Sequence, residues 1–261
     1  MRKLLLLVLF LMLVSCEKDK LPEVDQTILE TEIDFFAREI HENNEQSSPV
    51  LSLDFKTTKI YPCYNYYINF KHSFENEILT VEFKSIGQPE ICLTAFGPAT
   101  GSLKLPLSTR QLKLVRGNTT DLYEVNITTE TVAFEIIDSS FSNLIFDKTF
   151  RLPENSFAVV CGTNLEDTGL CDEFLNVLSD IPSLSAFSFE GEGRIPYPDS
   201  SSGHWNNTES KYFLYENDSD FIRVGELLEE FTAEYIEPNQ GNSIAIFSWD
   251  NRKFYSWISN N

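Results

Sequence analysis

Residues 123–136 read YEVNITTETVAFEI. Tyr123, Val125 and Ile127 alternate with Glu124 and Asn126, and Val132, Phe134 and Ile136 alternate with Ala133 and Glu135. Between the two runs stands Thr128-Thr129. A period of two puts apolar side chains on one face and polar ones on the other, which is the pattern of half-buried antiparallel strands joined by a turn. The same alternation spreads outward from this hairpin. It recurs at Tyr66, Ile68 and Phe70, at Leu79, Val81 and Phe83, at Leu103 and Leu105, and at Leu112 and Leu114. Glu75-Asn76, Gly97-Pro98 and Gly117-Asn118 supply the intervening turns. Seven or eight short strands without a helix predict an immunoglobulin-like antiparallel β-sandwich over residues 48–152. The prediction is one of architecture only, because no Trp stands between the cysteines of this region.

From residue 153 to 261 the pattern changes. Phe157 to Cys161 is a continuous apolar run, as in a strand covered on both faces. Residues 171–179 form a short helical stripe, with Asp172 and Glu173 at its favourable N-terminal end and Pro182 beyond its stop. Strand-like runs follow at Leu184–Glu190 and Lys211–Glu216, separated by a polar excursion over 191–210. Asn217-Asp218-Ser219 is a cap cluster ahead of a second helical stripe, Phe221, Val224, Leu228 and Phe231. Strands are expected at Thr232–Glu237, Ser243–Trp249 and Lys253–Ile258, the last two forming a hairpin around Asp250-Asn251-Arg252. The order β-α-β-β-α-β is that of a two-layer α+β domain of the split βαβ, or ferredoxin-like, kind with an extra C-terminal hairpin. The whole chain is thus expected to be mostly β with an α+β part.

Ahead of the strands lies residues 16–47, expected to be a tether. Leu29, Ile33, Phe36 and Ile40 recur at steps of four, three and four, after a Thr27-x-x-Glu30 capping-box pattern. That spacing predicts a short helix. Residues 1–15 have the form of an export signal: Arg2 and Lys3, then eleven apolar residues from Leu4 to Val14. Eleven is too few for a bilayer-spanning helix, which needs about 20, and suits a signal-peptide core. The run ends in Leu13-Val14-Ser15-Cys16. This resembles a lipobox, the motif cut by a lipoprotein signal peptidase just before the Cys. The resemblance implies a diacylglyceryl group on the Cys16 thiol and an acylated amine, hence attachment to a membrane through covalent lipid. Glu17-Lys18-Asp19-Lys20 partly resembles the export signal of surface lipoproteins of the Bacteroidota type, and Asp directly after the Cys, an inner-membrane retention signal, is absent. The implied location is the outer membrane, facing either the periplasm or the cell surface. No family is recognised for residues 21–261.

Composition narrows the partners. The 261 residues carry 20 Lys+Arg against 40 Asp+Glu, a formal net charge of −20. Cleavage before Cys16 removes Arg2 and Lys3 and no acid, which takes it to −22. Phosphate backbones are repelled by such a surface, so nucleic acid is excluded as a partner. At 42% hydrophobic and 13% aromatic, the chain is too apolar to be a disordered acidic one. Besides Cys16 there are Cys63, Cys92, Cys161 and Cys171, an even number in an exported protein. Four cysteines allow three pairings. Spacing favours Cys63–Cys92 and Cys161–Cys171, since each pair then lies within one domain. A zinc site does not fit: there is no Cys-x2-Cys, and the three His residues stand apart.

Catalytic motifs are not found. The chain has no Gly-x-Ser-x-Gly, no phosphate-binding Gly-rich loop and no cofactor motif. His41, His72 and His204 are read as solvated surface residues. Glu226, Glu229 and Glu230 form a solvated helix face. Asn217 to Asp220 suits a helix cap better than calcium, lacking the EF-hand Gly and terminal Glu. Trp249 and Trp257, in the last hairpin near Tyr255, are expected in the core. Trp205, in the polar loop Gly203-His204-Trp205-Asn206-Asn207, is the candidate ligand contact. An exposed ring beside amides can stack on a sugar and hydrogen-bond its hydroxyls. The expected function is a membrane-anchored, non-catalytic binding lipoprotein whose ligand is a glycan or a protein partner. The alternatives are a carbohydrate hydrolase using a carboxylate pair, and an accessory subunit of an outer-membrane complex.

Overall fold

The structure, a computed structural model, describes residues 29–200 and 204–258; the expected signal and Cys16 lie outside them. The class is mostly β with an α+β part. The first lobe is one continuous ten-stranded sheet. Its strands are β1 (Ile33–Ile40), β2 (Val50–Tyr61), β3 (Tyr67–Glu75), β4 (Ile78–Gly87), β5 (Gly97–Lys104), β6 (Gln111–Arg116), β7 (Thr119–Ile127), β8 (Thr131–Asp138), β9 (Ser142–Leu144) and β10 (Lys148–Phe150). They lie in the order β10-β8-β7-β6-β4-β3-β5-β2-β1-β9. The two edge strands are consecutive in the chain, so the sheet curls back on itself. The short link between them bonds to both sides: Ile145 N–H donates to Phe35 O beside β9, and Asp147 O accepts Phe134 N–H beside β10. The expected alternating strands are present, but as a single curled sheet in place of two immunoglobulin-like layers, with parallel pairs β4–β6 and β1–β9 among the antiparallel ones. The inward positions make one core. Phe35 packs edge-on against Tyr123 and Phe134, and Phe55 against Phe83 and Phe70.

The helix expected over residues 29–40 is a strand. β1 pairs antiparallel with β2 in eight consecutive register pairs, from Ile33–Thr57 to Ile40–Val50. Ile33, Phe35 and Ala37, a period-two set, are fully buried. Phe36, counted in the helical stripe, points the other way, with Phe146 beside it and Arg194 over its ring. Long-range pairing and the burial of Phe35 outweigh the local helical spacing. This part of the proposed tether therefore belongs to the core of the β lobe.

β1 also sets the polarity of the lobe. Its first residue lies beside Thr57, near the end of β2, and Thr58 N–H bonds to Glu32 O. Arg116 Nη1 donates to Thr31 O at 2.8 Å. The chain thus enters at the end of the sheet where the connections 61–67, 87–97, 116–119 and 138–142 also turn. The opposite end carries the turns 40–50, 75–78 and 127–131 and leads through β10 into the second lobe.

The second lobe is built of β11 (Ser156–Thr163), α1 (Leu170–Ser179), β12 (Leu184–Phe187), β13 (Asn206–Asn207), β14 (Lys211–Tyr215), α2 (Asp218–Tyr235), β15 (Ser243–Ser248) and β16 (Lys253–Tyr255). The sheet order is β12-β14-β11-β15-β16, all antiparallel. Counting the four main strands by chain order, this is 2-3-1-4, the split βαβ arrangement, with β16 added at the edge. Both helices cover one face, where Phe174 and Leu178 of α1 and Phe221, Val224, Leu228 and Phe231 of α2 meet Phe157, Phe213, Ile244 and Ile246. The expected strand at Thr232–Glu237 is instead the last turn of α2 and its exit, because the Phe221-to-Phe231 stripe keeps its helical spacing through Tyr235. Gly225 lets α2 lie close to β16: a Cβ there would meet the Phe254 ring at 2.6 Å. The Asn217 cluster caps α2 as read, with Asn217 N–H on the Asp220 carboxylate at 2.8 Å.

A clamp joins the lobes. The loop after β1 reaches the tip of the last hairpin: Gln46 Nε2 donates to buried Asp250 at 2.7 Å, Ser47 N–H to Asp250 O, and Asn251 Nδ2 to Asn43 O and Glu45 O. His41 Nε2 bonds to Trp249 O at 2.9 Å. Asp250 also takes Ser248 Oγ and Arg252. Burial would raise its carboxyl, but the Arg252, Ser248 and Gln46 hydrogen bonds outweigh that and hold it below the usual range. A second tie is Glu39, whose side chain is buried and accepts from Arg151 Nε at 2.8 Å and from Leu152 N–H. On the free face of the second sheet, Tyr197, Phe189 and Phe187 surround Tyr212 and reach Phe150 of the first lobe. Arg194 exchanges backbone hydrogen bonds with Lys148 and Phe150, so part of the polar 191–210 excursion is inter-lobe packing.

Asp121, fully buried in β7, fastens the 139–142 turn. It accepts Ser140 N–H, Phe141 N–H, Ser142 N–H and both serine hydroxyls. Burial raises its carboxyl, and these bonds more than reverse the shift, leaving it lowered. Asp121→Ala strands three backbone donors, so a loss of about 2–4 kcal/mol is expected in urea unfolding. The sign with pH follows from the lowered folded value. The contribution is full above the unfolded pKa of about 3.9 and fades as pH falls through the folded one. Between pH 6 and pH 3 the urea midpoint of the parent should therefore fall further than that of Asp121→Asn.

Candidate functional site

β11 runs outward from the β lobe, starting at Ser156, whose carbonyl accepts Trp249 N–H, and ending at Thr163. β15 begins and α2 ends at this same outer end. Two grown-out segments decorate it: 204–207, laid along the end of β11 through the β13 pairs, and 236–242, between α2 and β15. The distal face is thus made by connections whose ends the split βαβ sheet holds fixed.

Both cysteine pairs expected from spacing are disulfides, Cys63–Cys92 and Cys161–Cys171. The second ties the last turn of β11 to the first turn of α1 and so braces the distal face. Trp205, the candidate contact, stands there 80% exposed, its backbone N–H bonded to Thr163 O. Trp249 is half-buried, its indole N–H donating to Tyr215 Oη at 2.9 Å, as a core residue should. Trp257 is not in the core. It lies beyond the last residue of β16, 58% exposed, tilted against Tyr255 with ring centroids 4.8 Å apart. β16 ends at Tyr255, so the strand alternation that predicts burial of Trp257 does not extend to it.

Tyr255 and Trp257 form one wall of a groove of about 420 Å³. The other wall is the end of α2 and its exit: Glu229, Thr232, Ala233, Ile236, Glu237, Asn239 and Asn242. Asn242 is fixed by its neighbours. Its side-chain oxygen accepts Asn164 N–H at 2.9 Å, and its amide donates to Asp167 at 2.6 Å. Asn164 Oδ1 in turn accepts from Glu166 N–H and Asp167 N–H. The groove therefore pairs two aromatic rings with amides and carboxylates.

His204, expected to be solvated, is held at both nitrogens. Nδ1 lies 2.9 Å from Gly241 O and Nε2 lies 2.9 Å from Ser243 Oγ. A carbonyl can only accept, so Nδ1 carries the proton and Nε2 of the neutral ring accepts from the Ser243 hydroxyl. The ring rests on Gly162, where a Cβ would come within 2.3 Å of it. Sequence reasoning missed this arrangement because Ser243 and Gly241 are far along the chain. Its polarity is that of a hydroxyl and its base, but the third partner is a carbonyl, which orients the ring without adding the negative charge that stabilises an imidazolium. His72 is exposed on β3, and His41 serves the clamp.

Carboxylate pairs occur in two grooves: Glu229 and Glu237 distally, and Glu130 and Glu190 in a cleft of about 630 Å³ between the lobes. All four are exposed, whereas a glycosidase needs one carboxyl sheltered as a general acid. Among the described residues no group of three or more His, Cys, Asp or Glu is placed to hold a metal.

No protein-family model, curated protein or solved structure matches the chain.

Two outcomes follow for the distal face. Replacing both Cys161 and Cys171 by Ala frees a closure with a sequence separation of 10, and thermal unfolding should report a loss of about 2–3 kcal/mol. Gly162→Ala should displace the His204 ring, read as new imidazole resonances and faster proteolysis within 204–207.

Proposed function

We propose that the chain is a membrane-anchored, non-catalytic binding lipoprotein, attached through lipid on Cys16 to the outer membrane, whose distal face takes a carbohydrate. The observation that carries this reading is the polarity of the molecule. The chain enters at one end of the β lobe, and the exposed Trp205 and the Tyr255–Trp257 groove lie at the far end of the α+β lobe. A curled sheet braced by a polar clamp is a suitable spacer, and exposed rings flanked by Asn239, Asn242 and Glu237 can stack on a pyranose face and hydrogen-bond its hydroxyls.

Trp205→Ala and Trp257→Ala remove exposed rings, so stability should stay within about 0.5 kcal/mol of the parent. On an array of bacterial and host glycans, a ligand of the parent should lose about tenfold or more in affinity in the double variant, as expected for a stacking contact worth over 1.4 kcal/mol. Full binding by the double variant would place the ligand elsewhere.

The second reading, hydrolysis, has one specific observation in its favour, the hydroxyl-to-base pair of Ser243 and His204. Ester hydrolysis by the parent that vanishes in Ser243→Ala would support it over the binding reading.

A further inference from the structure

At the entry end of the β lobe, the connections 60–67 and 86–98 form an apolar tip. Ile60, Tyr64, Tyr67, Ile91, Leu93 and Phe96 are all exposed there, Ile91 at 77% and Phe96 at 80%. The two connections are held together. Cys63 is bonded to Cys92, Asn65 Nδ2 donates to Ile91 O at 2.7 Å, Leu93 N–H bonds to Asn65 Oδ1, and Tyr64 N–H bonds to Leu93 O. These bonds fix the backbone and leave Ile91, Leu93 and Phe96 exposed, while the Tyr64 ring lies on Gly97 and the Tyr67 ring on Gly87. Over these residues Glu90 is the only ionisable group apart from the tyrosines, in a chain that is 23% charged. In a strongly acidic protein this tip is nearly free of charge, with Lys59 at its margin over the Tyr61 ring, and its surface is apolar with Tyr64 and Tyr67 among the exposed rings. Such a composition suits the boundary between headgroups and acyl chains, where an amphipathic ring keeps its hydroxyl in water.

Where the chain enters identifies the occupant. Leu29 precedes β1 at this same end, tied to it by the Thr31, Thr58 and Lys59 hydrogen bonds. Thirteen residue steps separate Leu29 from Cys16, a reach of at most about 45 Å. We propose that the 60–67 and 86–98 tip docks on the lipid bilayer that holds the anchor, its Ile91, Leu93 and Phe96 side chains entering the acyl boundary, so that the β lobe stands on the membrane and points the distal groove away from it. This rests on the reading of Cys16 as lipidated. The docking is apolar and so should change little with salt, unlike a basic patch.

The test uses the full-length protein, purified from membranes and reconstituted in phosphatidylethanolamine–phosphatidylcholine vesicles with a membrane-restricted carbene photolabel. The mass of the N-terminal peptide reports lipidation of Cys16 separately. The expected result is label on the peptides holding 60–67 and 91–96 well above that on the Trp257 peptide. In Ile91→Ser with Phe96→Ser it should fall about tenfold or more, because two large apolar side chains are lost from the boundary. An unchanged melting temperature in that variant keeps a folding defect apart. Tip labelling no higher than that of the Trp257 peptide in a lipidated protein overturns the docking. So does a tip protected by a second copy, seen as a cross-linked dimer through residues 91–96. Should Cys16 carry no lipid, the anchor reading fails by itself. Vesicle flotation of the same chain then decides: flotation lost in the serine variant supports the tip, and no flotation of the parent overturns it.

Discussion

The pairing of β1 with β2 is the constraint on which the rest depends. Eight register pairs place β1 next to β2, and three parallel pairs join it to β9. Without β1 the sheet would have no strand to carry β9 back toward β10, and the Phe35 ring at the centre of the core would be missing. The same strand fixes where the chain enters. It also delivers Glu39 and the 41–47 loop to the opposite end, where they grip Arg151 and Asp250. One strand therefore closes the first lobe, sets its direction and docks the second.

Its role was also the least legible in the sequence. Leu29, Ile33, Phe36 and Ile40 satisfy a helical spacing, while Ile33, Phe35 and Ala37 satisfy a strand spacing over the same residues. Local pattern cannot choose between them. The choice is made by β2 and β9, and β9 lies more than a hundred residues away. Where alternation was unopposed, as from Tyr123 to Ile136, the strands lie where the pattern puts them. The second lobe was legible for a related reason. Its helices carry one-sided stripes between short strands, and only one way of ordering them gives a split βαβ sheet. The end of α2 was not, because Thr232, Ala233 and Tyr235 tolerate either state and the helix simply continues.

The candidate site was legible in part. A Trp in a polar loop stands out, and Trp205 is exposed as such a loop suggests. The partition of cysteines between two domains was enough to pair them. Trp257 and His204 were misread because their surroundings are assembled from separate connections. Trp257 meets the end of α2, and His204 meets the segment before β15. Sites built by loop ends on a fixed sheet leave little periodic trace, since the sheet supplies the geometry and the loops supply the chemistry.

The position of β1 has a mechanical consequence. A load applied between the entry end and the distal face runs through Leu29 into β1 and along its length toward the clamp. Ladder hydrogen bonds lie across the strand direction, so such tension slides β1 lengthwise against β2 and β9 and stresses all of their bonds at once. Tension applied across the strands would peel them one at a time. The lobe is therefore stiffest along the axis that joins its two ends.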